Sequence, residues 1–385
     1  MQELPKGDLT DWELLLRFLP QDWEEMGRES GALQRLRGFA STDRLLRTLL
    51  LYLVEGRSLR ETALRVRQAG LAEVSPVAVW KRLAKAGEWF RLMNEALLAA
   101  SARGRPVCTQ PEEGRQVRLV DGTSVSEPGK TGSSWRIHYS LELTSLRCDG
   151  VHIIEKNTGE TFKNFEISPG DILIADRVYA NAPGITHVLS SGADVLVRLP
   201  YKNVALLDGE GRRVDLLAYL RTLSTAEIGE WPLFLSPANP CGEPTPVRVC
   251  AIKKSQAAAE ASRKKTRRQG QKGPTTYTPS QNALEAAGYV TLFTTLPNHV
   301  APSAQLLQLY RARWQVELVF KRLKSILGLG HLPKQEPTGA RAWLQGKLFV
   351  ATLVETLIAA GDAFFPWGYP ICLAQKPMAR DHLHV

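Results

Sequence analysis

Cysteine is scarce in this sequence and is never arranged for a structural role. The 385 residues include five cysteines, an odd number, and no two of them form a Cys-x-x-Cys pair. Disulfide frameworks and zinc sites draw on paired or closely spaced cysteines, so the sequence indicates neither, and a reducing cytosol fits it. The five are Cys108, Cys148, Cys241, Cys250 and Cys372.

Long uninterrupted hydrophobic runs are also missing. Residues 1–20 carry acidic side chains and no continuous apolar core, so they do not have the pattern of a secretory leader. The most apolar stretch, residues 348–360, is interrupted by Glu355 and is short for a membrane span. We expect a soluble, cytoplasmic protein with no membrane partner.

Acidic residues are outnumbered by basic ones. There are 49 Lys and Arg against 39 Asp and Glu, which gives a formal net charge of +10. Such an excess favours an anionic polymer as partner, although ribosomal and membrane-surface proteins share it. A hydrophobic fraction of 44% with 23% charged residues is typical of a folded protein, and 385 residues predict two or three domains.

The first part of the chain, residues 1–102, has the apolar spacing of helices. Ser58 and Glu61 form a capping box, which predicts a helix that begins there and is stopped by Gly70. A second, basic helix is predicted to begin at Pro76, a residue favoured at the first helical position. Two short helices around a glycine-containing turn resemble a helix-turn-helix, and an ordinary helical hairpin with a solvated basic face fits equally.

Beyond a polar linker at residues 103–115, the pattern changes to short β-rich runs separated by turns. A helix is predicted at residues 183–191, before the last run. The resulting order is that of a ribonuclease H-like fold, which periodicity permits without establishing it. The predicted strands are residues 117–120, 136–143, 151–155, 172–175 and 195–199.

The predicted fold class is therefore α/β. A ribonuclease H-like catalytic core carries a β-rich insertion and follows an all-helical DNA-binding domain. The predicted domains are 1–102 (helical), 116–200 with 297–362 (catalytic), 201–296 (insertion) and 363–385 (C-terminal tail).

The insertion contains a strongly basic run. Residues 253–272 hold eight Lys or Arg and a single acid, Glu260. In a DNA-binding protein such a run follows the phosphates, with an affinity that falls as salt rises, whereas elsewhere it is a solvated segment. The candidate DNA contacts are Lys264, Lys265, Arg267 and Arg268.

Two acids stand out because each follows an apolar strand. Asp121 comes after Val-Arg-Leu-Val and Asp176 after Asp-Ile-Leu-Ile-Ala, each where we expect the strand to end. An acid at the end of a buried strand is unfavourable unless it is paired, hydrogen-bonded or bound to a cation. One such acid is commonplace, but two on strands that lie side by side form a reasonable cation site.

A third acid, Glu317, lies on a long helix predicted for residues 303–327. Its spacing from Tyr310, Arg313 and Lys324 puts these four side chains on one side of that helix. Such a face offers a metal ligand flanked by phosphate-binding groups, although an amphipathic helix with ordinary charge pairs has the same appearance. The opposite side is expected to send Trp314, Leu318, Phe320 and Leu323 into the core.

The complete pattern resembles the DDE transposases of bacterial insertion sequences. Strand-Asp-Gly-Thr, strand-Asp-Arg-x-Tyr and the helix pattern Tyr-x2-Arg-x3-Glu-x6-Lys occur in that order between residues 118 and 360. Within the family, the chain resembles the branch named for its YREK signature, which moves through DNA hairpin intermediates. A strand-cutting and strand-joining enzyme on a ribonuclease H-like fold is what this resemblance implies.

The resemblance also implies the site residues. Asp121, Asp176 and Glu317 would bind two Mg2+ ions, with Mn2+ as a substitute, since hard oxygen ligands suit them. Tyr310, Arg313 and Lys324 would contact DNA phosphates near the cut. The implied partner is double-stranded DNA, both the terminal inverted repeats of the element and its target, bound by a homodimer near the nucleoid.

Hairpin-forming relatives stack an aromatic side chain of the insertion on a flipped base. The position that opens the last insertion strand is Tyr289, and Trp231 is the second candidate. Two other functions remain open. One is a metal-dependent nuclease on the same fold that does not join strands, and the other is a DNA-binding relative without catalysis.

Overall fold

The structure is a computed structural model that describes residues 10–103, 115–129, 135–155, 159–202, 204–225, 227–237, 242–272 and 276–364. It is a mixed α/β fold built on one large sheet, which confirms the predicted class. Most of the predicted linker and residues 365–385 of the predicted tail lie outside the described ranges.

Helices alone make up the described chain before the sheet begins. The capping box at the start of α4 has formed, because Ser58 N donates to Glu61 Oε2 at 3.0 Å and Glu61 N donates to Ser58 Oγ at 3.3 Å. The helix α5 begins with Pro76, and its N-cap Ser75 accepts from Ala78 N. These helices are α1 Asp11–Leu16, α2 Trp23–Glu29, α3 Thr42–Glu55, α4 Leu59–Gln68, α5 Pro76–Lys85 and α6 Gly87–Arg103.

Nine strands of the described chain form a single sheet in the order β3-β2-β1-β4-β5-β9-β8-β7-β6. The strands β1, β2 and β3 are antiparallel neighbours, whereas β4 and β5 continue the sheet parallel to β1. The strands are β1 Val117–Val125, β2 Trp135–Glu142, β3 Arg147–Glu155, β4 Ile172–Ala175, β5 Asp194–Arg198, β6 Leu206–Leu207, β7 Ile228–Leu235, β8 Thr245–Lys253 and β9 Tyr289–Thr294.

Along the chain, further helices lie between the later strands of the sheet and after the last strand. A short 3-10 turn, Phe162–Asn164, lies between β3 and β4. The predicted helix at 183–191 is α7. The helices are α7 Ala182–Ser190, α8 Leu216–Arg221, α9 Gln256–Lys272, α10 Gln281–Ala286, α11 Ser303–Arg311, α12 Trp314–Ser325 and α13 Pro337–Phe364.

The single helix expected at 303–327 is in fact two, α11 and α12. Between them the bonds are of the i to i+3 type, with Arg313 N donating to Tyr310 O at 3.1 Å and Val316 N to Arg313 O at 3.3 Å. Such bonds tighten the turn without reversing it, because Arg313 keeps right-handed helical angles. Tyr310, Arg313 and Glu317 therefore remain neighbours across the break.

Successive residues of each strand point to opposite faces of the sheet, and each face is covered by its own core. The first core contains Leu119, Ile174 and Leu292 and joins the N-terminal helices to α11, α12 and α13. The second core contains Val120 and Phe293 and is covered by α7 and α8.

Close contacts bind α13 to the N-terminal helices. The rings of Phe90 and Phe349 are 5.6 Å apart, and a Cβ added at Gly346 would lie 2.5 Å from Leu53 Cδ1. One segment of α13, Pro337–Gly361, has the length and mean hydropathy, 1.3, of a membrane span. Its packing against α3, α5 and α6 explains that apolar composition as the composition of a core helix.

Candidate active site

Strand register brings the two strand acids together. In the parallel pair β1–β4, Val117 lies opposite Ile172 and Leu119 opposite Ile174. Asp121 and Asp176 each lie two residues further along, so the same register carries them to neighbouring positions at the end of β4. Adjacent strands are about 4.8 Å apart, and both side chains point to the face covered by α12.

The expectation that β1 ends at Asp121 is wrong. The strand continues to Val125 because β2 pairs with it along its whole length, and Asp121 lies opposite Tyr139. It is β4 that ends, at Ala175, and this leaves the β4 side of Asp121 open. The acid therefore lies in mid-strand, beside a gap in the sheet rather than at a turn.

Backbone amides orient both carboxylates. Gly122 N donates to Asp121 Oδ1 and Val178 N donates to Asp176 Oδ1, each at 2.8 Å. Burial is the main reason that the pKa of Asp121 is raised to about 7; the negative charges of Asp176 and Glu160 also raise it, whereas the Gly122 amide and Arg313 lower it. The site thus concentrates negative charge that the protein itself does not neutralise.

Arg313 lies between the strand acids and the helix acid. Its Nη1 is 3.9 Å from Asp121 Oδ2, and its Nη2 is 2.5 Å from Glu317 Oε1. The Arg313 guanidinium carbon is also 5.9 Å from the centre of the Tyr310 ring. Arg313 therefore links Tyr310 and Glu317 to Asp121. Lys324 is exposed about two turns further along α12.

The acids fit a divalent cation by chemistry but are not assembled around one. Within the described ranges, no three His, Cys, Asp or Glu side chains form a metal cluster. Arg313 occupies the space between Asp121 and Glu317 instead. Carboxylate oxygens are nonetheless the ligands that Mg2+ prefers. Burial raises the pKa of Asp121, so a cation at this position would stabilise its charged form. The residues fit such a cation once Arg313 releases Glu317.

Comparison with known proteins identifies the family. Residues 112–353 match the Transposase DDE domain. The chain belongs to the DDE transposase family. DDE transposases cut and join DNA strands, and their catalytic domains generally use divalent metal ions.

Similar proteins cover almost the whole chain. The transposase for insertion sequence element IS421 of Escherichia coli is 33% identical over 362 residues, which are 92% of this chain and 96% of the relative. InsL of insertion sequence element IS186A, from Escherichia coli K12, is 33% identical over 361 residues with the same coverage. A solved piggyBac transposase synaptic complex with hairpin DNA covers 92% of this chain and 77% of its own, at 8% identity. Its TM-score of 0.45 is too low to carry an argument.

Another acid, Glu160, lies near Asp121 and Asp176 and escaped the sequence analysis. A Cβ added at Gly122 would lie 3.1 Å from Glu160 Oε1, so this carboxylate packs directly over the residue that follows Asp121. Arg136 Nε lies 3.5 Å from the same oxygen. Burial raises the pKa of Glu160. The negative charge of Asp176 also raises the pKa of Glu160, and the positive charge of Arg136 lowers it. Glu160 follows a polar loop rather than an apolar strand, so no pattern in the sequence marks it.

A cationic groove adjoins the site of this transposase. A cavity of about 640 Å³ lies between α11–α12 and the strands β5, β7, β8 and β9. The positively charged side chains that line it are Arg198, Lys253, Arg311 and Arg313. Trp314 also lines it and is 53% exposed, so its expected place in the core was wrong.

The tight turn before α12 explains that error, because it rotates Trp314 away from the core and lets Val316 take the buried position. Phe320 and Leu323 are buried as predicted. Leu318 is half-buried.

Both aromatic residues proposed for base stacking lie on the second-core face, away from α11 and α12. Tyr289 begins β9 as predicted, but it is only 8% exposed. Stacking on a base would require its ring to leave the core. Trp231 is half-buried, with its ring centre 5.6 Å from that of Tyr219 in an edge-on contact.

The basic run of the insertion forms the helix α9 and not an extended arm. Its four candidate DNA contacts, hereafter the α9 cations, are exposed: Lys264, Lys265, Arg267 and Arg268. Arg177, which directly follows Asp176, donates from Nη2 to Gln269 Oε1 at 3.1 Å. The C-terminal end of the basic helix therefore lies at the rim of the acidic site.

Proposed function

We propose that this protein is the transposase of a bacterial insertion sequence. It cuts DNA at the ends of its element and joins those ends to target DNA by two-metal phosphoryl transfer. Asp121, Asp176 and Glu317 are the proposed ligands of two Mg2+ ions, with Mn2+ as a substitute. The observation that carries this proposal is the β1–β4 register, which aligns Asp121 with Asp176 on the face that bears Glu317.

The sheet supports a ribonuclease H-like catalytic core. Its first five strands have the spatial order β3-β2-β1-β4-β5, with β2 antiparallel and β4 and β5 parallel to β1. Asp121 lies on β1, Asp176 directly follows the neighbouring strand β4, and a substrate would reach both from that end of the sheet. The strands β6 to β9 then form the β-rich insertion, between the second Asp and the Glu.

Two bound divalent cations would activate the attacking oxygen and stabilise the leaving oxygen of the phosphodiester. The chain supplies the carboxylates that hold such charge and the cations that hold DNA. Arg313 pairs with Glu317 in the DNA-free protein, and a phosphate that enters the groove offers it a stronger bidentate partner. Transfer of Arg313 to a phosphate frees Glu317 to face Asp121. Tyr310 and Lys324 contact neighbouring phosphates.

The DNA path follows from the position of the positive charges. The groove beside α11–α12 and the exposed α9 cations flank the acidic site, and none of the described residues that line that groove is acidic. Phosphate contacts of this kind supply most of the binding energy for DNA and make it depend on salt. The exposed ring of Trp314 is better presented for base stacking than Tyr289 or Trp231.

The order of steps is the one implied by the YREK signature. Water cuts one strand, the freed 3′-hydroxyl attacks the other strand to form a hairpin, water opens the hairpin, and the 3′-end attacks the target. Two element ends must be held together for this, so we propose a homodimer on the DNA. The cytoplasm, at the nucleoid, is its proposed location.

The N-terminal helices are proposed to bind DNA through α4 and α5. Lys81 and Lys85 are exposed on α5. The proposed division of the chain is 1–102, 116–200 with 297–362, 201–296, and the tail at 363–385. Because the N-terminal helices share the first core with α13, the helical unit is expected to bind DNA as part of the whole protein.

A strand-cleavage assay on a duplex carrying the element end tests this proposal. Asp121→Asn, Asp176→Asn and Glu317→Gln should each abolish Mg2+-dependent cleavage while DNA binding stays near normal. Asp11→Asn, on exposed α1, is the matched control and should cleave normally. Normal cleavage by any of the three variants would remove that residue from the site. A plasmid-integration assay excludes a simple nuclease, because only a transposase joins ends to a target.

A further inference from the structure

A buried hydroxyl beside the acids lacks a partner. Tyr179 is 0% exposed, and its ring centre lies 5.2 Å from that of Phe162 and 6.2 Å from that of Phe165. Its hydroxyl oxygen is fully buried and makes no hydrogen bond to any described residue. Buried polar groups are nearly always satisfied, so the missing partner calls for an explanation.

The turn after β4 sets the position of this tyrosine. Val178 N donates to Asp176 Oδ1, and Tyr179 N donates to Asp176 O at 3.3 Å, so the ring is fixed three residues beyond the acid. Burial raises the pKa of Tyr179, and the carboxylates of Asp121, Glu160 and Asp176 raise it further while Arg136 opposes them. The ring thus packs between two phenylalanines and lies within reach of the charges of the acidic groups.

Glu160 and Tyr179 approach the strand acids from the face opposite to α12. Gly122 alternates with Asp121 along β1, so the carboxylate that covers Gly122 lies on the second-core side. The Phe162, Phe165 and Tyr179 rings belong to that same core. The strand acids are therefore approached by Glu317 and Arg313 from one face and by Glu160 and Tyr179 from the other.

We propose that Glu160 and Tyr179 are positioning residues that hold the water shell of a cation bound by Asp121 and Asp176. No described residue hydrogen-bonds to the Tyr179 hydroxyl. In this proposal a water of the cation's shell is its partner, and Glu160, which has Arg136 Nε 3.5 Å away, accepts from the same shell. This inference rests on the proposed function, because it places the cation at Asp121 and Asp176.

Such contacts have a measurable effect. Removing a residue that supports a metal site through hydrogen bonds lowers metal affinity by about 10–100-fold. Tyr179→Phe removes only the hydroxyl and keeps the ring packed on Phe162 and Phe165. Glu160→Gln keeps the side-chain shape and removes the charge. We expect each to weaken cation binding about tenfold.

Binding of Mn2+ to the full-length, DNA-free protein is measured by the paramagnetic resonance signal of the free ion. The expected result is binding by the wild type, none by Asp121→Asn, and about tenfold weaker binding by Tyr179→Phe and Glu160→Gln. Tyr52→Phe alters another buried tyrosine, on α3, and should bind like the wild type. Thermal unfolding without Mn2+ verifies that each variant is folded.

The outcomes separate the two proposals. If Asp121→Asn loses Mn2+ while Tyr179→Phe and Glu160→Gln bind like the wild type, the positioning role is overturned and the proposed function stands. Unchanged binding by Asp121→Asn overturns both, as does a wild type that binds no Mn2+. In end cleavage, the two positioning variants should need about tenfold more Mg2+ and still reach the wild-type rate at saturation. A lowered rate at saturation would instead indicate a purely structural role.

Discussion

Replacing Asp121 by Asn should stabilise the cation-free protein at alkaline pH. Folding raises the pKa of this carboxyl from its usual 3.8 to about 7, chiefly by burial, with Asp176 and Glu160 adding to the rise. The folded state therefore binds a proton more tightly than the unfolded state does. As pH rises from about 4 to 7, the unfolded carboxyl ionises first, and the free energy of unfolding falls.

The expected size follows from that pKa difference. Above pH 7 the buried charge costs about 4 kcal/mol, and at pH 5 it costs less than half as much. Only 17% of the Asp121 side chain is exposed, so solvent screens little of this cost. Protons shared with Asp176 and Glu160 lower the measured figure, and we expect about 2–4 kcal/mol at pH 8. Asn keeps the shape and carries no charge, so it removes the cost.

Thermal and urea unfolding in EDTA, at pH 8 and at pH 5, measure this difference. At pH 8, Asp121→Asn should unfold at a higher temperature than the wild type. At pH 5, the gain in the free energy of unfolding should be less than half of the gain at pH 8. Saturating Mg2+ should stabilise the wild type and not the variant, because only the wild type keeps the ligand. Asp11→Asn should show only a small difference at both pH values. A variant no more stable than the wild type at pH 8 would refute the claim that Asp121 carries uncompensated charge.

Three other results are expected. Arg313→Gln should tighten Mn2+ binding to the DNA-free protein several-fold while it slows end cleavage, and unchanged Mn2+ affinity would mean that Arg313 does not compete with a cation. Trp314→Ala should slow hairpin formation more than the first nick, measured on separate DNA substrates, whereas equal effects would assign the ring a structural role. Neutralising the four α9 cations should make DNA binding less dependent on salt, so that the slope of log K for DNA binding against log salt concentration falls by up to about 4. An unchanged slope would mean that α9 is solvated and does not contact DNA.

Local sequence patterns were sufficient for β4 and α7. The predicted strand at 172–175 is β4, and the predicted helix at 183–191 is α7, because apolar runs bounded by turn residues define such elements. The α/β class and the transposase family were both predicted and confirmed. The capping box at Ser58 formed because its two hydrogen bonds depend only on residues three apart.

Features that depend on tertiary structure were not predictable. The continuation of β1 past Asp121 depends on its pairing with β2, a partner that strand propensity does not reveal. The exposure of Trp314 depends on a 3-10 turn that helical periodicity cannot show. Glu160 reaches the strand acids from a polar loop, and such a segment carries no periodic signal. In each case the sequence determines the residue types, and long-range packing determines their surroundings.

The packing of α13 against α3, α5 and α6 joins the two ends of the described chain. It also makes folding of the amino-terminal helices depend on the synthesis of α13. A ribosome makes α13 after every other helix and strand of the described chain, so α1 to α6 wait for most of the chain before their apolar surface is covered. A prematurely terminated product therefore lacks both its final helix and a finished amino-terminal unit. Truncated copies of such a gene are expected to yield unstable fragments that proteases remove, and not small proteins that compete with the intact enzyme for DNA.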